Sequence, residues 1–110
     1  MAETKSKASP KSAPTAQAQE PIPAHPYPVG KSVFIRTVTC YYVGHLARVT
    51  AQELVLTSAA WVADTGRFSV ALASGKLHEV EPFPDGEVVV PRGGVIDATA
   101  WAHPLPRQAV

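Results

Sequence analysis

The sequence predicts a mainly β domain, a small five-stranded barrel carrying one short helix, behind a disordered N-terminal tail. Three observations carry this expectation. Short apolar runs rich in Val, Ile, Leu and Thr recur between residues 32 and 99, bounded by Gly, Pro and Asp. The run from Cys40 to Val49 is long and has Gly44 at its centre, which marks a bent strand or a close backbone approach. Residues 1–29 hold six of the eleven prolines and too few large apolar groups to offset the entropy of ordering.

The elements follow in order. Residues 1–20 are expected to be disordered, and 21–29 to form an extended lead-in. Pro21, Pro23, Pro26 and Pro28 fix their own φ and bias the preceding residues toward extended geometry. Tyr27 and Val29 are expected to pack on the domain. The chain thus divides into a Pro/Ala-rich tail (1–29), a β domain (30–103) and an irregular C-terminal tail (104–110).

Within the domain, Ser32–Thr37 reads as the first strand, with Val33 and Ile35 on one face and Phe34 and Arg36 on the other. Cys40–Val49 is the second. Tyr41 and Tyr42 point to opposite faces, so one joins the core and the other is free to stack on a base or a neighbouring subunit. Glu53–Thr57 is the third strand. Asp64 is the expected N-cap of a short helix over Thr65–Ser74, with Phe68, Ala71 and Leu72 on one face and Gly75 just past its end. Leu77–Glu81 is a short strand or an extended loop. Glu87–Val90 and Val95–Thr99 are the fourth and fifth strands, interrupted by Pro91-Arg92-Gly93-Gly94. Closing such strands into a barrel removes exposed edges.

Composition narrows the function classes. Residues 30–110 carry seven basic and seven acidic side chains, not the basic excess typical of a nucleic-acid binder. Cys40 is the only cysteine, which rules out an intrachain disulfide and points to the reduced cytosol. Its apolar, strand-like surroundings read as a small buried hydrophobe. The four histidines form no close pair of metal-ligand spacing. There is no phosphate-binding loop or nucleophile elbow, and no apolar run approaches membrane-spanning length. The acidic run Glu79, Glu81, Asp85 and Glu87 reads as a solvated loop, with a basic partner surface as its functional alternative. No enzyme activity, cofactor, metal or membrane partner is expected.

The order of these pieces resembles the Sm family of small SH3-like barrels. Gly30-Lys31-Ser-Val-Phe-Ile35 resembles its opening, Gly44-His-Leu-Ala-Arg-Val49 its central bent strand and Leu54-Val-Leu56 its third strand. Val88-Val-Val-Pro-Arg92-Gly93-Gly94-Val95-Ile96 resembles its closing motif. The likeness covers about residues 30–58 and 87–99. It implies cyclic assembly, with strand four of one subunit meeting strand five of the next, and single-stranded RNA binding. The family's Asp-x-x-Met-Asn loop, whose Asn reads a base, is replaced here by Thr50-Ala-Gln-Glu53. The segment Ala59–Gly86 is a long insertion between strands three and four. Its stretch Ala60–Phe68 also resembles a motif of small uncharacterised bacterial and phage proteins.

The leading expectation is a non-enzymatic structural protein that forms a ring-like homo-oligomer through its edge strands. The expected interface residues are Val89, Val95, Trp61 and Phe68, and a further protein partner is expected at the tail or the 61–86 insertion. The alternative is an Sm-type RNA-binding module using Gln52, Arg92 and Tyr42. A cytoplasmic location follows, or a virion-associated one for a phage-encoded chain.

Overall fold

A computed structural model describes Ile22 and residues 24–110 of the chain. The expected disorder of residues 1–20 lies outside these. Among the described residues, six strands form one antiparallel sheet: β1 (Ser32–Thr37), β2 (Tyr41–Val49), β3 (Glu53–Asp64), β4 (Glu79–Pro82), β5 (Glu87–Pro91) and β6 (Val95–Ala100). One helix, α1 (Phe68–Ser74), lies between β3 and β4, and a 3-10 turn (Arg92–Gly94) joins β5 to β6. The hydrogen-bonded path runs β4–β3–β2–β1–β6, with β5 paired to β3.

The sheet is therefore open and six-stranded, which corrects the five-stranded closed barrel. The correction comes from β3. Its expected end at Thr57 is a bulge: Val43 faces Ala60 and His45 faces Thr57, so Ser58 and Ala59 together oppose Gly44. Ser58 takes a left-handed backbone, φ 49°, and the strand continues to Asp64. The same edge of β3 thus serves two strands. Glu53–Thr57 pairs with β5, and Ala60–Asp64 pairs with β4. The segment read as an insertion begins inside β3 and supplies β4 to the sheet.

Gly44 is needed for the close approach at this bend. A Cβ there would lie 3.1 Å from both Cα and Cβ of Ala59 and 3.3 Å from the carbonyl oxygen of Thr57.

The sheet is apolar on both faces because it carries a core on each. Val33, Ile35, Leu46, Val49, Leu54, Leu56, Ala59 and Val90 form the first, joined by Tyr27, Tyr42 and Val95. Phe34, Val43, Ala60, Val62, Val80 and Trp101 form the second, under Phe68, Leu72 and Leu77 of the α1 segment and Leu105 of the C-terminal arm. This arrangement corrects the expectation for the tyrosine pair: Tyr41 packs on the second core and Tyr42 on the first. Tyr27 of the lead-in packs as expected, whereas Val29 is exposed.

The helix starts later than expected, at Phe68, with Arg67 at its N-cap. Gly66 has φ +68°, outside helical geometry, and the Asp64 carboxylate accepts the Gly66 N–H at 2.7 Å instead of capping a helix. Gly75 does end α1, its N–H donating to the Ala71 carbonyl. The C-terminal arm has no regular structure but is anchored. Val110 and Val80 exchange backbone hydrogen bonds, and the His103 ring meets the Leu72 carbonyl at 2.7 Å. No helix among the described residues is long and apolar enough to cross a membrane.

Candidate functional site

Three places collect the chemistry-bearing residues: the Arg92 turn, the two open strand edges and the Cys40 corner. At the turn, Arg92 is drawn inward by the backbone of the β2–β3 loop. Its Nη1 donates to the Thr50 carbonyl at 2.7 Å and lies 3.4 Å from the Ala51 carbonyl. Its backbone N–H donates to the Gln52 carbonyl at 2.8 Å. The guanidinium also sits over the Tyr27 ring, 5.2 Å from its centroid. Arg92 therefore ties together the lead-in, the β2–β3 loop and the β5–β6 turn.

Of the expected RNA contacts, the structure brings Gln52 and Arg92 together through this backbone bond, and the Gln52 side chain is exposed. Tyr42 is elsewhere. Its ring stacks on Phe83 with centroids 6.2 Å apart, and it borders a hollow of about 240 Å³ with Val90, Pro91 and Gly94.

β5 and β6 carry open edges, whereas the outer edge of β4, one end of the strand path, is bonded at Val80 by Val110. Among the described residues β5 pairs only with β3, and β6 only with β1. Val89 on β5 is 55% exposed. On β6 the outward residue is Ile96, 61% exposed, while Val95 is half-buried against the first core. Register explains the exchange: Arg36 faces Asp97 and Thr37 faces Val95, so Ile96 is an extra residue that protrudes. Val38, in the β1–β2 turn beside it, is 76% exposed. The other two expected interface residues separate. Trp61 is 40% exposed. Phe68 is engaged within the chain, 5.6 Å from Phe34 by centroid and 5.1 Å under the Arg36 guanidinium.

Cys40 lies in the β1–β2 turn, half-buried, not within a strand, which corrects the buried-strand reading. The Thr37 and Thr39 hydroxyls approach its Sγ at 3.8 Å. Burial pushes the thiol pKa up, but hydrogen bonds from Tyr42, Thr37, Thr39 and Trp61 together pull it below the ordinary value. The same contact raises Tyr42. Val38, Trp61 and Ile96 surround this corner as walls of a hollow of about 380 Å³.

Two ion pairs brace the sheet surface. Arg36 pairs with Asp97 across β1 and β6, and Arg48 pairs with Glu87, linking β2 to the start of β5. Hydrogen bonding to the guanidinium holds each carboxyl below the usual carboxylate range. Among the described residues no group of three His, Cys, Asp or Glu side chains is placed to hold a metal. Sequence reasoning missed Ile96 and Val38 as surface residues. The alternation of the fifth strand pointed to Val95 instead, because nothing local announces the bulge. No protein-family model, curated protein or solved structure matches the chain.

Proposed function

We propose that this chain is a non-enzymatic assembly protein whose copies join edge to edge, β5 of one against β6 of the next, into a cyclic homo-oligomer. The observation that carries the reading is that β5 and β6 each leave one edge without a strand partner among the described residues, and each presents an exposed apolar side chain, Val89 and Ile96. An open edge is a template for another strand, and proteins that remain single usually blunt it with charge or proline. Here Pro91 ends β5 but leaves Val88–Val90 open. Asp97 on β6 is already neutralised by Arg36.

The strand path and the 3-10 turn at Arg92–Gly94 support the Sm-like reading of the fold, and with it a ring. Heterologous contacts of this kind close when the rotation per subunit divides a full turn. RNA reading is the less supported use of the same fold, because Arg92 is spent on loop carbonyls and on Tyr27.

Size-exclusion chromatography with light scattering tests the proposal. The expected result is a single species at a multiple of the 11.7 kDa chain mass. Val89→Lys or Ile96→Lys should lower its mass by breaking the edge contact while leaving the circular dichroism spectrum intact. A chain that stays monomeric at high concentration overturns the proposal.

A further inference from the structure

A cavity larger than the hollows described above lies between α1 and the C-terminal arm, away from the β5 and β6 edges. It is a groove of about 880 Å³ whose walls include Val70, Leu77, Val80, Pro104 and Pro106. Arg67, Lys76 and His78, all exposed, also line it together with Val110, and no Asp or Glu side chain does. Gly66 admits the His78 ring, since a Cβ there would lie 2.5 Å from His78 Nε2. An apolar, open groove with two side-chain cations, Arg67 and Lys76, suits an extended acidic segment that carries large apolar side chains.

The chain itself presents such a surface on the other side of β4. Val62 and Val80 are register partners and both enter the second core, beneath the groove. Their neighbours Trp61 and Glu81, also register partners, therefore face the opposite way, and both are exposed. Phe83 extends this face, stacked on Tyr42 yet exposed at its outer edge, and the exposed Asp85 follows in the β4–β5 loop. Pro82 and Pro84 stiffen the loop, which lowers the entropy lost on docking. β4 thus separates a basic apolar groove on one side from an acidic aromatic face on the other.

We propose that the acidic aromatic face of one copy, formed by Trp61, Glu81, Phe83 and Asp85, docks into the Arg67–Lys76–His78 groove of a second copy. Opposite faces make this contact head-to-tail, so it repeats from copy to copy. It extends the assembly reading above with a second contact that shares no residue with the β5 and β6 edges.

Two charge-reversed variants of the full chain test it: Arg67→Glu with Lys76→Glu, and Glu81→Lys with Asp85→Lys. All four positions are exposed, and circular dichroism verifies that each variant folds. Alone, each variant sets like charge against like charge. Mixed, the two restore opposite charge at every contact. Sedimentation velocity at low salt should show each variant associating about tenfold more weakly than the parent, and an equimolar mixture recovering the parental distribution. The recovery should fade as salt shortens the screening length.

The same series in a Val89→Lys, Ile96→Lys background separates the two contacts. Recovery by mixing in that background supports the groove contact with the edges disabled. A mixture no more associated than its components, in both backgrounds, overturns the groove contact. Edge pairing survives that result when the parent still assembles and the Val89→Lys, Ile96→Lys chain does not. In the Val89→Lys, Ile96→Lys background, self-association of either variant alone at the strength of that background chain also overturns the groove contact.

Discussion

At Gly44 the missing side chain is what lets β2 and β3 cross closely, with the Ala59 backbone 3.1 Å from where a Cβ would stand. Gly44→Ala therefore pushes on backbone, which yields less than a side-chain tip. The expected cost is about 1–3 kcal/mol, read as a lower urea midpoint with an unchanged slope. The Cys40 thiol offers a second test at this scale. Its lowered pKa depends in part on the Tyr42 hydroxyl. Tyr42→Phe removes that donor, so less thiolate is present near neutral pH and alkylation by iodoacetamide should slow. An unchanged alkylation rate would show that Tyr42 does not tune the thiol. Arg92 shows how a single residue carries two readings. Its place after the β5 run was legible, and so was the choice between contacting RNA and capping loop carbonyls. The carbonyl contact itself comes from the fold, because the Thr50 carbonyl that receives the guanidinium is 42 residues away in sequence.

Most strand starts were legible at the scale of elements because an apolar alternation begins there, while Pro82, the Asp85-Gly86 pair and Pro91 mark breaks in the second half of the chain. The length of β3 was not. Ser58 adopts φ 49°, a conformation usually signalled by Gly or Asn, so the sequence there reads as a break. The pairing of β4 with the far half of β3 is equally silent, since four residues carry no register of their own. For the candidate site the same reasoning found β5 and β6 as edges but chose Val95 over Ile96. The bulge shifts the alternation by one residue and turns the other side chain outward. This separates two mutations by mechanism. Ile96→Lys should change stability by no more than about 0.5 kcal/mol and act on association. Val95→Lys drives an ammonium toward the first core and should destabilise the fold itself, visible as a lower melting temperature in dilute solution.

For the molecule as a whole, two exposed ion pairs join strands that are distant in sequence, Arg36 with Asp97 and Arg48 with Glu87. Both carboxyls titrate lower in the folded chain than in the unfolded one. A depressed folded pKa means that the stabilisation is fully present above the ordinary carboxylate range. It is lost as pH falls through the folded values. Urea midpoints should therefore drop on acidification below about pH 4.5, and Asp97→Asn with Glu87→Gln should flatten that drop. A double variant with the parental acid slope would assign the acid sensitivity elsewhere.

The partnership of the first and last strands also sets a clock. Phe34 waits for Thr99, 65 positions later in the chain. At ribosomal speeds of about 5–20 residues per second, that is an interval of roughly 3–13 s. During this time β1 has β2 beside it and nothing on its other side. Each nascent chain thus passes through a stage in which an internal strand is temporarily a border. A neighbouring nascent chain on the same message can reach that border before β6 does. Polysome density then becomes a variable in folding yield, and slower initiation should favour the correctly closed pairing.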